Sequence, residues 1–192
     1  MTHKDNEEIH LLGFVPDFPL RMTIDGKIVE STKSFTFPKK GEHIVLIKSN
    51  FTKLTSARRM FYKVRNLVKL EFTHLFDTKN VKDMRSMFYE CWDLTSLDLS
   101  HFNTINVENM YSMFNRCDSL TKLNLANFNT DKVTTFYCMF NQCKSLKALI
   151  FPNLNIKSSA KKGCMFEGCQ KLEENEEWKK KIKKINNDCI CF

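Results

Sequence analysis

The chain has 192 residues, of which 42% are hydrophobic, and it carries a formal net charge of +8. This length suits one domain and is short for two, and the hydrophobic content excludes a disordered chain. With only 5 glycines, a glycine-rich phosphate-binding loop is not expected. The basic balance is typical of proteins with anionic partners such as nucleic acid, acidic lipid or acidic protein.

The first residues do not resemble a signal peptide, because acidic side chains stand where a basic end and an apolar run are needed. The one candidate run, residues 11–20, is interrupted by Pro16, Asp17 and Pro19. No stretch reaches the ~20 apolar residues of a membrane-spanning helix. We therefore expect synthesis in the cytosol, where the eight cysteines stay reduced.

Residues 1–49 are predicted to form a β-rich cap. Asp25-Gly26 lies between two alternating runs, which is typical of a β-hairpin, and residues 43–48 favour a further strand. This segment precedes a repeat array and is expected to cover its first turn.

A motif recurs every 26 residues over residues 50–174, after a first gap of 27. Its clearest mark is Met-Phe, at residues 60–61, 87–88, 113–114, 139–140 and 165–166. Columns of Leu, Phe and Asn keep the same register, as does a cysteine column at Cys91, Cys117, Cys143 and Cys169. So many columns with one period predict about five stacked turns.

Each turn is predicted to contain a strand and a short helix. Leu97 and Leu99 alternate with outward residues, as in a strand. Residues 107, 110, 113 and 114 are apolar at helical spacing, and Thr104 or Asn106 could cap that helix. The sequence thus predicts an α/β leucine-rich-repeat solenoid with a parallel concave sheet and short convex helices.

The outward strand residues form the predicted partner-binding concave face. This face is mixed in character with an apolar end, which favours a protein partner. Its members are Lys69, Glu71, Thr73, Ser96, Asp98, Ser100, Lys122, Asn124, Ala148 and Ile150.

Catalytic, metal and cofactor sites are not expected. Cys138-x4-Cys143 and Cys164-x4-Cys169 could form a four-thiolate zinc site, but two of these cysteines belong to the column, which is better explained as small buried side chains. No histidine shares a column with a cysteine, so no activated nucleophile is predicted. Nucleic acid is an unlikely partner, because the basic residues do not interleave with an aromatic stacking surface.

The repeat unit Asn-Val-x-x-Met-x-Ser-Met-Phe-x-x-Cys-x-x-Leu-Thr-x-Leu-x-Leu-x-x-Phe-Asn-Thr resembles the BspA-like leucine-rich repeat family, most closely over residues 80–104 and 106–130. Members known from bacteria and parasitic protists are surface-associated proteins linked to adhesion and protein binding. The resemblance therefore implies the fold and a role in protein binding, without naming a ligand.

Residues 175–192 are predicted to form a basic helix and tail. A charged helix over residues 173–187 would place Trp178, Ile182 and Ile185 on one face. The chain ends Cys-Ile-Cys-Phe, which resembles a prenylation signal with Cys189 as the acceptor. The basic residues that would assist membrane binding are Lys179, Lys180, Lys181, Lys183 and Lys184. The alternative is a solvated helix followed by incidental cysteines.

The expected function is a non-enzymatic protein-interaction module, associated with the plasma membrane or cell surface through its tail. The alternative is a self-associating structural or scaffold protein of the cytoplasm, since short solenoids can pair through exposed ends. Regulation of a partner such as a protein phosphatase is a further alternative. Residues 69–72, Lys-Leu-Glu-Phe, loosely resemble a phosphatase-docking peptide but fall in core columns.

Overall fold

The computed structural model describes residues 2, 6–13, 21–29, 34–39, 41–48, 54–72 and 76–187. Within these ranges, nine short strands and two helices follow one another. They are β1 (Glu7–His10), β2 (Arg21–Ile24), β3 (Lys27–Val29), β4 (Ser34–Phe37), β5 (Val45–Lys48), β6 (Lys69–Glu71), β7 (Ser96–Asp98), β8 (Lys122–Asn124), β9 (Ala148–Ile150), α1 (Gln170–Glu173) and α2 (Glu176–Asn187).

The amino-terminal strands form two small antiparallel sheets. β1 pairs with β4, and β2 lies between β3 and β5. Asp25 and Gly26 form the turn between β2 and β3, both with positive φ. Gly13 meets the repeat array directly, because its N–H donates to the Met60 carbonyl at 2.8 Å. An added Cβ at Gly13 would overlap the Arg59 carbonyl, so the close approach requires glycine.

The 26-residue units lie side by side and are joined by backbone hydrogen bonds. We number them one to five by their Met-Phe pairs. Parallel bridges connect Ser56, Asp83, Asn109, Thr135 and Lys161 in succession. The N–H of each Met-Phe phenylalanine in units one to four donates to the methionine carbonyl of the next unit, at 2.8–2.9 Å. Each unit therefore uses its neighbour as the partner for its backbone.

The predicted convex helix over residues 107–114 does not form, and this prediction was wrong. Here the chain makes tight turns, with Met113 N–H bonded to the Met110 carbonyl, while alternate N–H groups bond to the next unit. Ser112 and Arg116 have positive φ, which an α-helix excludes. Thr104 consequently caps no helix; its hydroxyl donates to the Asn129 carbonyl of the following unit.

In units one to four, the opposite side carries a three-residue strand. β6 pairs in parallel with β7, and β8 with β9. The predicted continuous sheet is thus two separate pairs among the described strands. The core stays continuous across this break, because Phe88 and Phe114 stack there at 5.6 Å, the same distance as Phe61 and Phe88. Strands of three residues offer few ladder bonds, so a small separation removes them.

A ladder of phenylalanine rings fills the core. Phe61, Phe88, Phe114, Phe140 and Phe166 stack at centroid distances of 5.2–5.6 Å with nearly parallel planes. Methionines and leucines of the same units are buried around them. The repeat period therefore places identical aromatic side chains in contact from unit to unit.

Helix α2 covers the fifth unit. Trp178 lies against Phe166 at 5.6 Å, and its indole N–H donates to the Leu149 carbonyl at 3.0 Å. Ile182 is buried and Ile185 partly buried on the same side. The helix begins at Glu176, later than predicted, because the Asn175 side chain accepts the N–H groups of Glu177 and Trp178 as an N-cap.

Candidate interaction surfaces

The predicted strand face is exposed. All its described members are exposed to solvent, and Thr73 lies outside the described residues. Several of its polar groups are used locally. Asp98 accepts the Ser100 N–H and Asn124 accepts the Ala126 N–H, while Lys69 pairs with Glu71 at 2.6 Å. The hydrogen bond from Ser100 lowers the pKa of Asp98.

Large side chains are scarce on the strand face. Ile150, 54% exposed, is its one large exposed hydrophobic residue among those described. Phe72 of the phosphatase-docking-like stretch packs against Phe76 and Phe102 at 4.5 and 4.8 Å. That ring therefore belongs to the core and is not available to bind a phosphatase as a docking peptide would.

A second surface lies on the turn segments, and sequence reasoning missed it. We call it the turn face. It collects aromatic and basic side chains of units one to four, all at least partly accessible to solvent: Arg58, Arg59, Tyr62, Lys63, Arg65, Arg85, Tyr89, Trp92, Tyr111, Arg116 and Tyr137. The signal was present in the sequence, because these include all four tyrosines and five of the six arginines of the chain.

The tyrosines of the turn face are stacked in pairs. Tyr62 and Tyr89 lie 5.0 Å apart with nearly parallel rings, and Tyr111 and Tyr137 lie 5.8 Å apart. Tyr111 and Tyr137 are 42% and 39% exposed. Because the rings face one another along the stack, each ring gives one of its faces to its partner.

Cations accompany these rings. Arg59 and Lys63 lie over the Tyr62 ring at 5.1 and 5.2 Å. The Arg65 guanidinium lies 4.0 Å above Trp92. Such contacts hold flexible basic side chains in place before any partner arrives.

Glu90 organises the centre of the turn face. Its side chain is only 10% exposed and pairs with Arg65 at 3.0 Å. Burial raises the pKa of Glu90, but the hydrogen bonds from Arg65 and Tyr89 outweigh it, so this pKa is lowered. The pKa of Tyr89 is raised, first by burial and then by its bond to Glu90. Glu90 is therefore ionised and fixes both neighbours.

The other cations of the turn face differ in whether a carboxylate pairs with them. Arg85 pairs with Asp83 at 2.7 Å. Arg58, Arg59, Lys63 and Arg116 make no ion pair with any residue of the described ranges. The turn face thus has an excess of unpaired positive charge at units one and three.

The four cysteines of the repeat column are buried and make hydrogen bonds between units. The buried thiols of Cys91, Cys117, Cys143 and Cys169 each donate to the carbonyl of a phenylalanine in the preceding unit, at 3.0–3.2 Å. Burial raises the pKa of Cys91 to about 12. The Cys91 thiol is therefore protonated at neutral pH, and the four thiols together extend the bonding between units.

Cys138 and Cys164 occupy a different column from those four. Both are partly accessible and lie near one another beside Tyr137. Burial, followed by the proximity of Cys164, raises the pKa of Cys138 to about 12. Within the described ranges, no three His, Cys, Asp or Glu side chains are grouped to hold a metal ion.

A hydrogen-bonded chain joins Thr2, His43 and Asp25 in the amino-terminal part. His43 Nδ1 lies 2.7 Å from Asp25 Oδ2, and Nε2 lies 3.3 Å from the Thr2 hydroxyl. This order resembles a nucleophile, base and acid. However, Nε2 also lies 2.9 Å from the Lys39 carbonyl and the buried Thr2 hydroxyl donates to that same carbonyl. The Lys39 carbonyl thus takes up both Nε2 and the Thr2 hydroxyl, so the geometry favours a structural role that ties Thr2, Asp25 and Lys39 together.

The predicted membrane-basic lysines lie on α2 and are all exposed. Lys179 and Lys181 pair with Glu176 and Glu177. The helical spacing places Lys180, Lys183 and Lys184 opposite the buried Trp178 side, with Lys179 on its flank. Cys189 lies outside the described residues. No helix in the described ranges is long and apolar enough to cross a membrane.

Comparison with known proteins identifies a family. Residues 49–178 match the family described as "Mycoplasma protein of unknown function, DUF285". No curated protein and no solved structure matches the chain. The match spans more than half of the chain and covers all five repeat units with the turn face, so the chain belongs to the DUF285 family.

Proposed function

We propose that the chain is a non-enzymatic protein-interaction module of the BspA-like leucine-rich repeat type, with the turn face as its principal binding surface. The observation that carries the proposal is the concentration of exposed tyrosine and arginine on one side of the repeat array. These residue types, with tryptophan, supply most of the binding energy in protein interfaces. Their fixed positions reduce the entropy lost on binding.

The repeated architecture supports a solenoid interpretation. Units of one length lie in parallel and share a continuous core, which is the arrangement expected of stacked repeats. Such arrays present extended surfaces on which side chains vary from unit to unit. The strand face is a second such surface, with smaller and more locally bonded side chains.

Affinity capture from an extract of the source cell tests the proposal. The double variant Tyr111→Ser with Tyr137→Ser removes a stacked pair that is exposed. We expect it to lose the captured protein, while Lys122→Ala with Ile150→Ala on the strand face retains it. Circular dichroism checks that both variants fold. Equal capture by the tyrosine variant and the parent chain would refute the turn face as the binding surface.

Membrane association through the tail is a separate part of the proposal. The exposed lysines of α2 favour contact with an acidic leaflet, each contributing roughly 1 kcal/mol. A prenyl group on Cys189 would supply the second signal that stable anchoring needs. We expect Cys189→Ser to release the protein from membranes in cells. Unchanged membrane association would refute the lipid anchor.

Self-association is the alternative function, and the covered ends of the array disfavour it. Gly13 contacts unit one, and Trp178 covers unit five. The apolar ends through which repeat arrays would pair are therefore occupied in one chain. Light scattering over a wide concentration range decides between the two: a stable oligomer would favour the scaffold role.

A further inference from the structure

We propose that the partner of the turn face is a short acidic segment of a protein, bound along units one to three. This inference deepens the proposed function and rests on it. Its basis is the charge distribution described above. Arg58, Arg59 and Arg116 make no ion pair within the described ranges, and Lys63 makes none either, although its charge helps to lower the pKa of Glu90. The acidic groups Asp83 and Glu90 already bond to arginines.

The cations lie in register with the repeat. Lys63, Glu90 and Arg116 hold equivalent positions, since the Lys63 N–H bonds to Tyr89 and the Glu90 N–H to Asn115. Units at the usual strand spacing of about 4.8 Å place units one and three about 10 Å apart. An extended peptide covers that span in about three residues. Carboxylates about three residues apart in one acidic stretch can therefore meet the cations of units one and three.

The tyrosines favour a peptide over a nucleic acid. Sequence-independent binding of single strands requires free aromatic faces on which bases stack. Here Tyr62 has Tyr89 on one side and the Arg59 and Lys63 cations over its ring. Tyr137 packs between Tyr111 and Gly163. Tyr62 and Tyr137 therefore offer little free ring face to a base, whereas arginine forks bind carboxylates in pairs.

Fluorescence anisotropy with a labelled oligo-glutamate peptide tests the inference on the full chain. The charge-reversed variant Arg58→Glu, Arg59→Glu, Arg116→Glu changes three exposed cations. We expect its affinity for the peptide to fall at least about tenfold, and the parent's affinity to fall with added salt. The matched control Lys179→Glu, Lys180→Glu, Lys183→Glu makes the same change in net charge on α2 and should keep the parent's affinity.

Three results would overturn the inference. The peptide could fail to bind the parent chain, or the α2 control could lose as much affinity as the turn-face variant, which would show attraction by net charge alone. An oligothymidylate of equal charge could bind more tightly than the peptide and lose that binding in the turn-face variant, which would assign the surface to nucleic acid. If the peptide fails while the Tyr111/Tyr137 variant still loses its captured protein, the proposed function stands and only the acidic partner falls.

Discussion

Replacing Phe114 with leucine probes the aromatic ladder that joins the units. Phe114 is completely buried and stacks on Phe88 at 5.6 Å and Phe140 at 5.5 Å, with interplanar angles of 7° and 8°. Leucine keeps most of the apolar volume but loses both ring contacts. Each aromatic pair contributes about 0.5–1.5 kcal/mol beyond area burial, so the free energy of unfolding should fall by about 1–3 kcal/mol, with a small addition for the incomplete fit.

Urea denaturation, followed by far-ultraviolet circular dichroism, measures this loss. Tyr137→Leu is the matched control, because Tyr137 is exposed and makes one stacked contact with Tyr111. We expect that control to cost less than about 1 kcal/mol. A cost for Phe114→Leu no greater than that of Tyr137→Leu would refute the view that ring stacking contributes to the coupling between units.

Further predictions concern the bonds between units and the thiols. The pKa of Cys91 is raised from 9.0 to about 12 in the folded chain. The stability that its neutral thiol contributes is therefore complete below pH 9 and is lost as the pH rises towards 12. Cys91→Val, which copies Val64 of unit one, should flatten this decline in urea titrations at several pH values. Thr104→Val removes a donated and an accepted hydrogen bond of a buried hydroxyl, and calorimetry should show a loss of about 2–4 kcal/mol; a change below about 0.5 kcal/mol would contradict this. Because the pKa values of Cys138 and Cys164 are raised, iodoacetamide should modify both slowly at neutral pH and faster as pH rises, as peptide mass spectrometry can follow; rapid labelling at pH 7 would show that the thiols are more acidic than the structure implies.

The register of the repeat could be read from the sequence, because its columns are side chains that contact their own copies. Phe88 and Phe114, one period apart in the chain, stack in the core. The inward side of α2 was also predictable, since Trp178 and Ile182 have helical spacing and both are buried. The spacing of apolar residues predicts which side chains are buried wherever one side of a helix or strand faces solvent.

The conformation of the turn segments could not be read in the same way. Successive tight turns bury apolar residues at steps of three, and a helix does so as well. The two conformations differ in that the turns contain residues with positive φ. In a sequence, glycine or asparagine usually marks such a residue, but here Ser112 and Arg116 have positive φ. The helix prediction failed for this reason, and the exposed side chains of the turn face were not predicted to form one surface.

Hydrogen bonds between residues far apart in the chain could not be predicted from the sequence either. The partners of Thr104 and of the Cys117 thiol lie one unit away, and the bond between His43 and Asp25 depends on how two strands pair. A sequence pattern shows that such polar residues recur, but the choice of partner follows from the backbone path.

Hydrogen–deuterium exchange of the chain, with and without the protein captured from the source cell, tests the central claim most directly. A partner that binds the turn face slows exchange of exposed or frayed amides in residues 58–65, 85–92 and 111–116. We expect protection in those three segments and little change in β6 to β9. Protection confined to β6 to β9, with the turn segments unchanged, would contradict the account and assign binding to the strand face.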